Sequence, residues 1–331
     1  MSTVNEFELI SRYFVRPGER VTGAGGALGD GVLLGIGDDA AVLRLPPGTD
    51  LVAAVDTLVE GRHFPEGSDP CSIGYRALAV NLSDLAAMGA TPAWATLALT
   101  LPRADASWLD KFSRGLLQLA QAEGVALVGG DTTRGALTIS VQLMGHVARG
   151  TALCRSGAVA GDLLVVTGTL GDAGAGLALL QGESSARESV AARTLVRRFE
   201  YPSARVTLGR ALRGIAHAAM DLSDGLVGDL PKLAAASGLA AHVDVERLPV
   251  SPALSGLFDS DRGRDLSLAA GDDYELLMAV PEARFARLVE VAKECDVSVT
   301  IIGNVRPGSG VNWTLNGENW QPGVLGYDHF R

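Results

Sequence analysis

Lysine is scarce in this chain. Its 331 residues hold only Lys111, Lys232 and Lys293, and none of the three stands in a glycine-rich loop. With no GxxxxGK[ST] string, the lysine-bearing phosphate loop is excluded, and so are GxGxxG and HExxH. HRD, DFG and GxSxG are missing too, which removes the protein-kinase and hydrolase-elbow readings. Cysteine is limited to Cys71, Cys154 and Cys295. They lie far apart without a CxxC pair, so neither a zinc site nor a disulfide framework is indicated, and reduced thiols are expected. No run of 18 apolar residues occurs; the stretch 78–101 is broken by Asn81, Asp84 and Pro92, so no membrane span is expected. The first ten residues carry Glu6 and Glu8 and no apolar signal core, which leads to the expectation of a cytoplasmic protein. A basic excess is also missing. The net charge of −10 argues against a general nucleic-acid binder, which needs a cationic face for phosphates.

Glycine and apolar residues are plentiful: 41 glycines, and a hydrophobic fraction of 47%. The length suits two domains, each with its own core. Apolar periodicity predicts helices over 6–14, 69–88, 108–123, 203–217, 226–237 and 282–295, with a further helix ending at 181. Strands are expected over 32–36, 51–55, 94–101, 125–128, 137–147, 162–167, 219–222, 266–270, 275–280 and 297–302. The glycine-rich stretch 23–31 reads as a connection or a flap over a ligand. The pattern restarts near residue 150. This predicts an N-terminal domain over 1–149 and a C-terminal domain over 150–331, each with interleaved helices and strands.

Aspartates recur beside glycines where apolar segments are expected to end. They are Asp38 and Asp39 in GIGDDAAV, Asp56 in AAVDTL, Asp84 in NLSDLAAMGA and Asp131 in GGDTTRG, then Asp221 and Asp224 in DLSDGL, and Asp272 and Asp273 in GDDYEL. A single aspartate in a turn is ordinarily a cap, and Asp221 and Asp224 have the spacing to cap the helix at 226. Six such turns in one chain instead indicate a metal–phosphate site, because hard divalent cations take oxygen ligands shared with substrate phosphates. Asp84 stands apart, as a poor helix former amid Leu82, Leu85 and Ala86.

These strings, with VDTLVEGRHF, RSGA, VTGTLGDAGAGL and the terminal GYDHF, occur in the order found in the thiamine-monophosphate kinase family, which the chain resembles over its whole length. That family belongs to the aminoimidazole-ribonucleotide-synthetase superfamily. The resemblance implies an α+β, two-domain aminoimidazole-ribonucleotide-synthetase-like fold whose N-terminal domain dimerises through its sheet. It implies a homodimeric, magnesium-dependent enzyme that passes the γ-phosphoryl of ATP in line to thiamine monophosphate, giving thiamine diphosphate, with no phosphoenzyme. Several Mg2+ ions are implied, with Asp39, Asp56, Asp84, Asp131, Asp221 and Asp224 as ligands. Gly130, Asp131, Arg155 and Ser223 would contact ATP, and His63, Asp272 and Tyr327 would line the substrate pocket. Two departures stand out. The family's Ser-Thr pair before Asp56 is Ala54 and Val55 here, so Val55 has only its backbone carbonyl to offer a metal. Asp272 stands where Glu is common. Two other readings remain open at this point: ATP-dependent activation of an amide or a selenide, as in the superfamily's other branches, and a non-catalytic metal-dependent nucleotide sensor.

Overall fold

The computed structural model describes residues 12–14, 31–183 and 189–327. The expected helix over 6–14 and flap over 23–31 therefore fall outside the described residues, apart from 12–14 and Gly31. The chain divides into two compact units: Met1–Leu85 with Thr91–Gly150, and Ala86–Ala90 with Thr151–Arg331.

The first unit opens with a short antiparallel pair, β1 (Val32–Leu34) and β2 (Val42–Leu43), whose connection carries Asp38 and Asp39. Its main sheet has the order β3-β6-β4-β5, built from β3 (Thr49–Val59), β4 (Thr91–Leu101), β5 (Ala126–Arg134) and β6 (Thr138–Ala148). Neighbours are antiparallel except β4 and β5, which run parallel and are joined by a helical crossover. Strand β6 alternates strictly: Ile139, Val141, Leu143 and Val147 are buried, while Ser140, Gln142 and Met144 face the other way. That period of two fixes which face receives the helices.

Two helices cover the apolar face, α1 (Pro70–Ala87) and α2 (Ala106–Ala122). Helix α2 is capped by Asp105, which accepts from the backbone N–H of Ser107 and Trp108. Helix α1 is buried nearly all round, as its lack of a polar stripe requires. The two helices approach at reciprocal glycines. A Cβ on Gly74 would overlap the Phe112 carbonyl, and one on Gly115 would overlap the Cys71 carbonyl.

The second unit holds a seven-stranded sheet of order β13-β12-β9-β11-β7-β10-β8. Its strands are β7 (Leu163–Thr167), β8 (Ala218–Asp221), β9 (Ala240–Asp244), β10 (Leu276–Val280), β11 (Val299–Arg306), β12 (Gly310–Leu315) and β13 (Glu318–Trp320). Its helices are α3 (Asp172–Gln181), α4 (Val190–Glu200), α5 (Val206–Ala211), α6 (Leu226–Ala236), α7 (Pro252–Leu257), α8 (Ser260–Ala269) and α9 (Glu282–Glu294). The core joins Leu164 and Val166 of β7, Met220 of β8, Leu230 and Leu233 of α6, Leu277 of β10 and Ile302 of β11.

Four expectations about local structure are corrected. Strand β3 continues through Asp56 to Val59, and β5 continues through the glycines to Arg134, so Asp56 and Asp131 lie within strands rather than in terminal turns. Eleven ladder pairs with β6 hold β3 extended past its acidic residue. Residues 266–269 form the end of helix α8, with Ala270 as its C-cap, and not a strand, because Asp259 caps that helix upstream. The helix expected over 203–217 is only Val206–Ala211, and Gly214 at φ 75° turns the chain beyond it.

Candidate functional site

In the first unit, Asp56 of β3 shares a register row with Val141, Leu97 and Gly130. Three strand spacings separate the ends of that row, about 14 Å. Asp131 falls in the adjacent row with Ala98, Ser140 and Thr57. Asp56 and Asp131 therefore do not share one ion through their carboxylates alone. Gly130 has φ 150° and passes so close to β4 that a Cβ would overlap the Leu97 carbonyl; glycine is required there. Asp84 is half-buried on a helix whose neighbouring positions are closed. His63 follows β3, and its Nδ1 accepts from the Val59 N–H at 2.9 Å, which fixes the ring with any proton on Nε2. Asp39 and Val55 are exposed, and Asp39 donates its N–H to Asp38 Oδ1.

In the second unit, the turn after β8 collects several of the expected residues. Asp221 ends β8 opposite Leu276 of β10 and is buried. The Ser223 carbonyl accepts from Asp272 N–H at 2.9 Å, and the Asp224 carbonyl accepts from Tyr327 N–H at 3.0 Å. Ser223, Asp224, Asp272 and Tyr327 are thus brought together by direct backbone bonds. Arg155 is exposed; the carbonyl of its neighbour Cys154 accepts from Ala219 of β8, and its own accepts from the Ser237 hydroxyl. Lys232 Nζ spans the carboxylates of Asp224 (2.7 Å) and Asp229 (2.8 Å). Asp229 is buried, which raises its pKa; the Lys232 ammonium and the Asp224 N–H pull back against that shift.

The GDDYEL string does two different things. Asp272 and Tyr274 take the left-handed conformation, at φ 72° and 51°, and Tyr274 Oη donates to Asp272 Oδ1 at 3.2 Å. Asp273 and Glu275 point instead into the interior. Glu275 is fully buried and accepts from Thr167 Oγ1 (2.6 Å), Arg205 Nε (2.7 Å) and Arg198 Nη2 (2.8 Å), and again from Arg205 Nη2. Asp273 accepts from Gly171 N–H (2.7 Å) and Ala173 N–H (3.4 Å), at the start of α3. Asp172, also buried, accepts from the hydroxyls of Thr169 and Ser251.

Three carboxylates therefore face two guanidiniums under the glycine-rich turn 168–171. Burial, with Asp172 and Glu275 nearby, pushes Asp273 up to about 8 against the pull of the Gly171 N–H and Arg198. Sequence reasoning missed Asp172, Asp229, Asp273 and Glu275 as the residues that brace the site loops. The available signal was acidic residues inside otherwise apolar strings, which the sequence analysis weighed only as caps or ligands.

Among the described residues no three His, Cys, Asp or Glu side chains gather into a metal cage. The donors near the turn are nevertheless all oxygen, which suits magnesium, an ion usually held by one or two carboxylates together with substrate phosphates. No helix among the described residues is long and apolar enough to cross a membrane.

Comparisons with known proteins cover nearly the whole chain. Residues 37–147 match the family model described as AIR synthase related protein, N-terminal domain, and residues 159–316 match the corresponding C-terminal domain. The thiamine-monophosphate kinase of Salmonella typhimurium is 45% identical over 327 residues, covering 98% of each chain. The crystal structure of the thiamine-monophosphate kinase of Stenotrophomonas maltophilia K279a superposes with a TM-score of 0.82 at 48% identity, over 87% of this chain and 92% of that one. The structure of AaThiL complexed with AMPPCP and TMP gives 0.76 at 33% identity, over 89% and 92%.

Proposed function

Because the chain belongs to the thiamine-monophosphate kinase family, we propose that it phosphorylates thiamine monophosphate to thiamine diphosphate with ATP. The observation that supports this most directly is the shared backbone bonding of Ser223, Asp224, Asp272 and Tyr327. A residue assigned to ATP, one assigned to metal and two assigned to substrate meet at one turn of the second unit. The amide- or selenide-activating and sensor readings have no comparable support, since relatives 45% and 44% identical over 98% of the chain carry the kinase name.

The chemistry asks little of a general base. The attacking atom is a phosphate oxygen that is already ionised, so the barrier lies in bringing two polyanions into line. Magnesium, when bound, supplies charge neutralisation between them. Asp39, Asp56, Asp84, Asp131, Asp221 and Asp224, with the Val55 carbonyl, are the oxygens we assign to several such ions. Gly130, Asp131 and Ser223 line the ATP site, and Arg155 grips phosphate oxygens with its planar fork. His63, held by its Nδ1 bond, presents its Nε2 proton to an acceptor phosphate. Tyr327 stacks on the cationic heterocycle, an attraction of about 0.5–2 kcal/mol, and Asp272 accepts from the aminopyrimidine.

The assembly we propose is a cytoplasmic homodimer formed through the sheet of an N-terminal domain spanning 1–149. Strand β3 is an edge strand with Leu51 and Val55 exposed by 52% and 64%, and long apolar edges favour association. The deciding assay supplies ATP and Mg2+ with either thiamine monophosphate or thiamine, and reads each phosphorylated product by fluorescence after oxidation. Diphosphate is expected from the monophosphate and no monophosphate from thiamine, because the acceptor phosphate supplies both the nucleophile and metal-ligand oxygens. Equal turnover of the two acceptors would refute the assignment.

A further inference from the structure

We propose that Asp229 is a positioning residue that holds the Ser223–Asp224 turn in the conformation needed for metal binding. This rests on the reading of Asp224 as a metal ligand given above. Helix α6 starts at Leu226 after Gly225, which offers no side-chain cap. One oxygen of Asp229 reaches back past that point. Its Oδ2 accepts from Ser223 N–H at 3.0 Å and from Asp224 N–H at 2.9 Å. The two carbonyls of the same residues are taken by Asp272 and Tyr327 N–H. All four backbone polar groups of the turn are therefore committed, and among the described residues Asp229 is the side chain that holds its amides.

The other oxygen, Oδ1, takes Lys232 Nζ at 2.8 Å, and that ammonium also holds Asp224 Oδ2 at 2.7 Å. Asp229 is 1% exposed, and a buried carboxylate with three donors has little freedom to move. The Asp224 side chain is thus aimed by two linked contacts: its backbone through Oδ2 of Asp229, and its carboxylate through the lysine that Oδ1 of Asp229 anchors. Losing an outer residue of this kind typically costs about 10–100-fold in metal affinity.

The test is Mn2+ binding to the full-length, nucleotide-free protein, followed by the resonance signal of the free ion, for Asp229→Ala, Asp229→Asn and Asp224→Asn, with thermal melts of each. Asn keeps an oxygen where both amides now bond, whereas Ala does not. We expect Asp229→Ala to weaken Mn2+ binding about 10-fold or more while the protein stays folded, and Asp229→Asn, which keeps the two amide bonds but turns its NH2 toward Lys232, to recover part of that loss. Unchanged binding in Asp229→Ala beside lost binding in Asp224→Asn overturns the positioning role and leaves Asp224 standing as a ligand. Unchanged binding in both removes Asp224 as a ligand and this inference with it. A loss as large in Asp229→Asn as in Asp229→Ala also overturns it, because the backbone bonds would then carry nothing. Should Asp229→Ala fail to fold, amide exchange at Ser223 and Asp224 in the metal-free parent decides. Protection equal to that of α6 supports the role, and open-loop exchange overturns it.

Discussion

Glu275→Gln should destabilise the second unit far more than a one-atom change suggests. Glu275 is fully buried and accepts four bonds from Thr167, Arg198 and Arg205. Gln keeps the volume but removes the charge, and its NH2 group must face a donor whichever way it turns. Breaking a buried ion pair from one side costs about 3–5 kcal/mol, because the partner charge is left uncompensated. The Arg198 and Arg205 side chains keep 19% and 18% exposure, so part of their charge is still solvated. This favours the lower end, about 3 kcal/mol. For a unit of this size each kcal/mol moves the midpoint by about 2–4 °C, so a thermal melt should fall by about 6–12 °C. The variant pairing Glu275→Gln with Arg205→Met should be more stable than the two single losses added together, by at least about 1 kcal/mol. A midpoint within about 2 °C of the parent, or strict additivity, would show that the cluster is solvated and that the ion pairs contribute nothing.

Asp273 gives a pH signature. Its pKa in the folded protein, about 8, lies above the ordinary carboxylate value, so its contribution to stability is complete at acid pH and is lost as pH rises toward 8. Chemical denaturation of Asp273→Asn should show a flatter loss of stability between pH 5 and 8 than the parent; an unchanged slope would remove Asp273 as its source. Gly115→Ala should force α1 and α2 apart, since its methyl would overlap the Cys71 carbonyl. Overpacking of this kind costs about 1–3 kcal/mol, to be read as a lowered urea midpoint; no change there would mean that the helix pair yields freely.

The order of helices and strands was largely legible in the sequence wherever periodicity was strong, as in α1, α2, α6 and α9. It failed where long-range pairing overrode local signals. Asp56 and the glycines before Asp131 look like turn residues, yet the ladders with β6 and β4 keep both strands running. Helix α4 went unexpected although Ser189 caps it and Ala192, Leu195 and Phe199 supply its buried stripe. The acidic strings pointed to a site, but they could not separate Asp272, on a turn, from Asp273 and Glu275, in the interior. That distinction depends on strand β10, which takes Leu276–Val280 inward, and on two arginines more than 60 residues away.

The fastening of the Ser223–Asp224 turn also has an order in time. Asp229 lies five and six residues beyond the amides it holds, so that bond is available as soon as the following helix leaves the ribosome. Asp272 comes later, and Tyr327 only at the far end of the described chain. In a growing chain the partner of the turn's amides therefore emerges before the partners of its carbonyls. The contacts that join it to Asp272 and Tyr327 close longer loops, which costs more chain entropy. Trimming the chain back past Gly326 would return the finished protein to a state with the Asp224 carbonyl released.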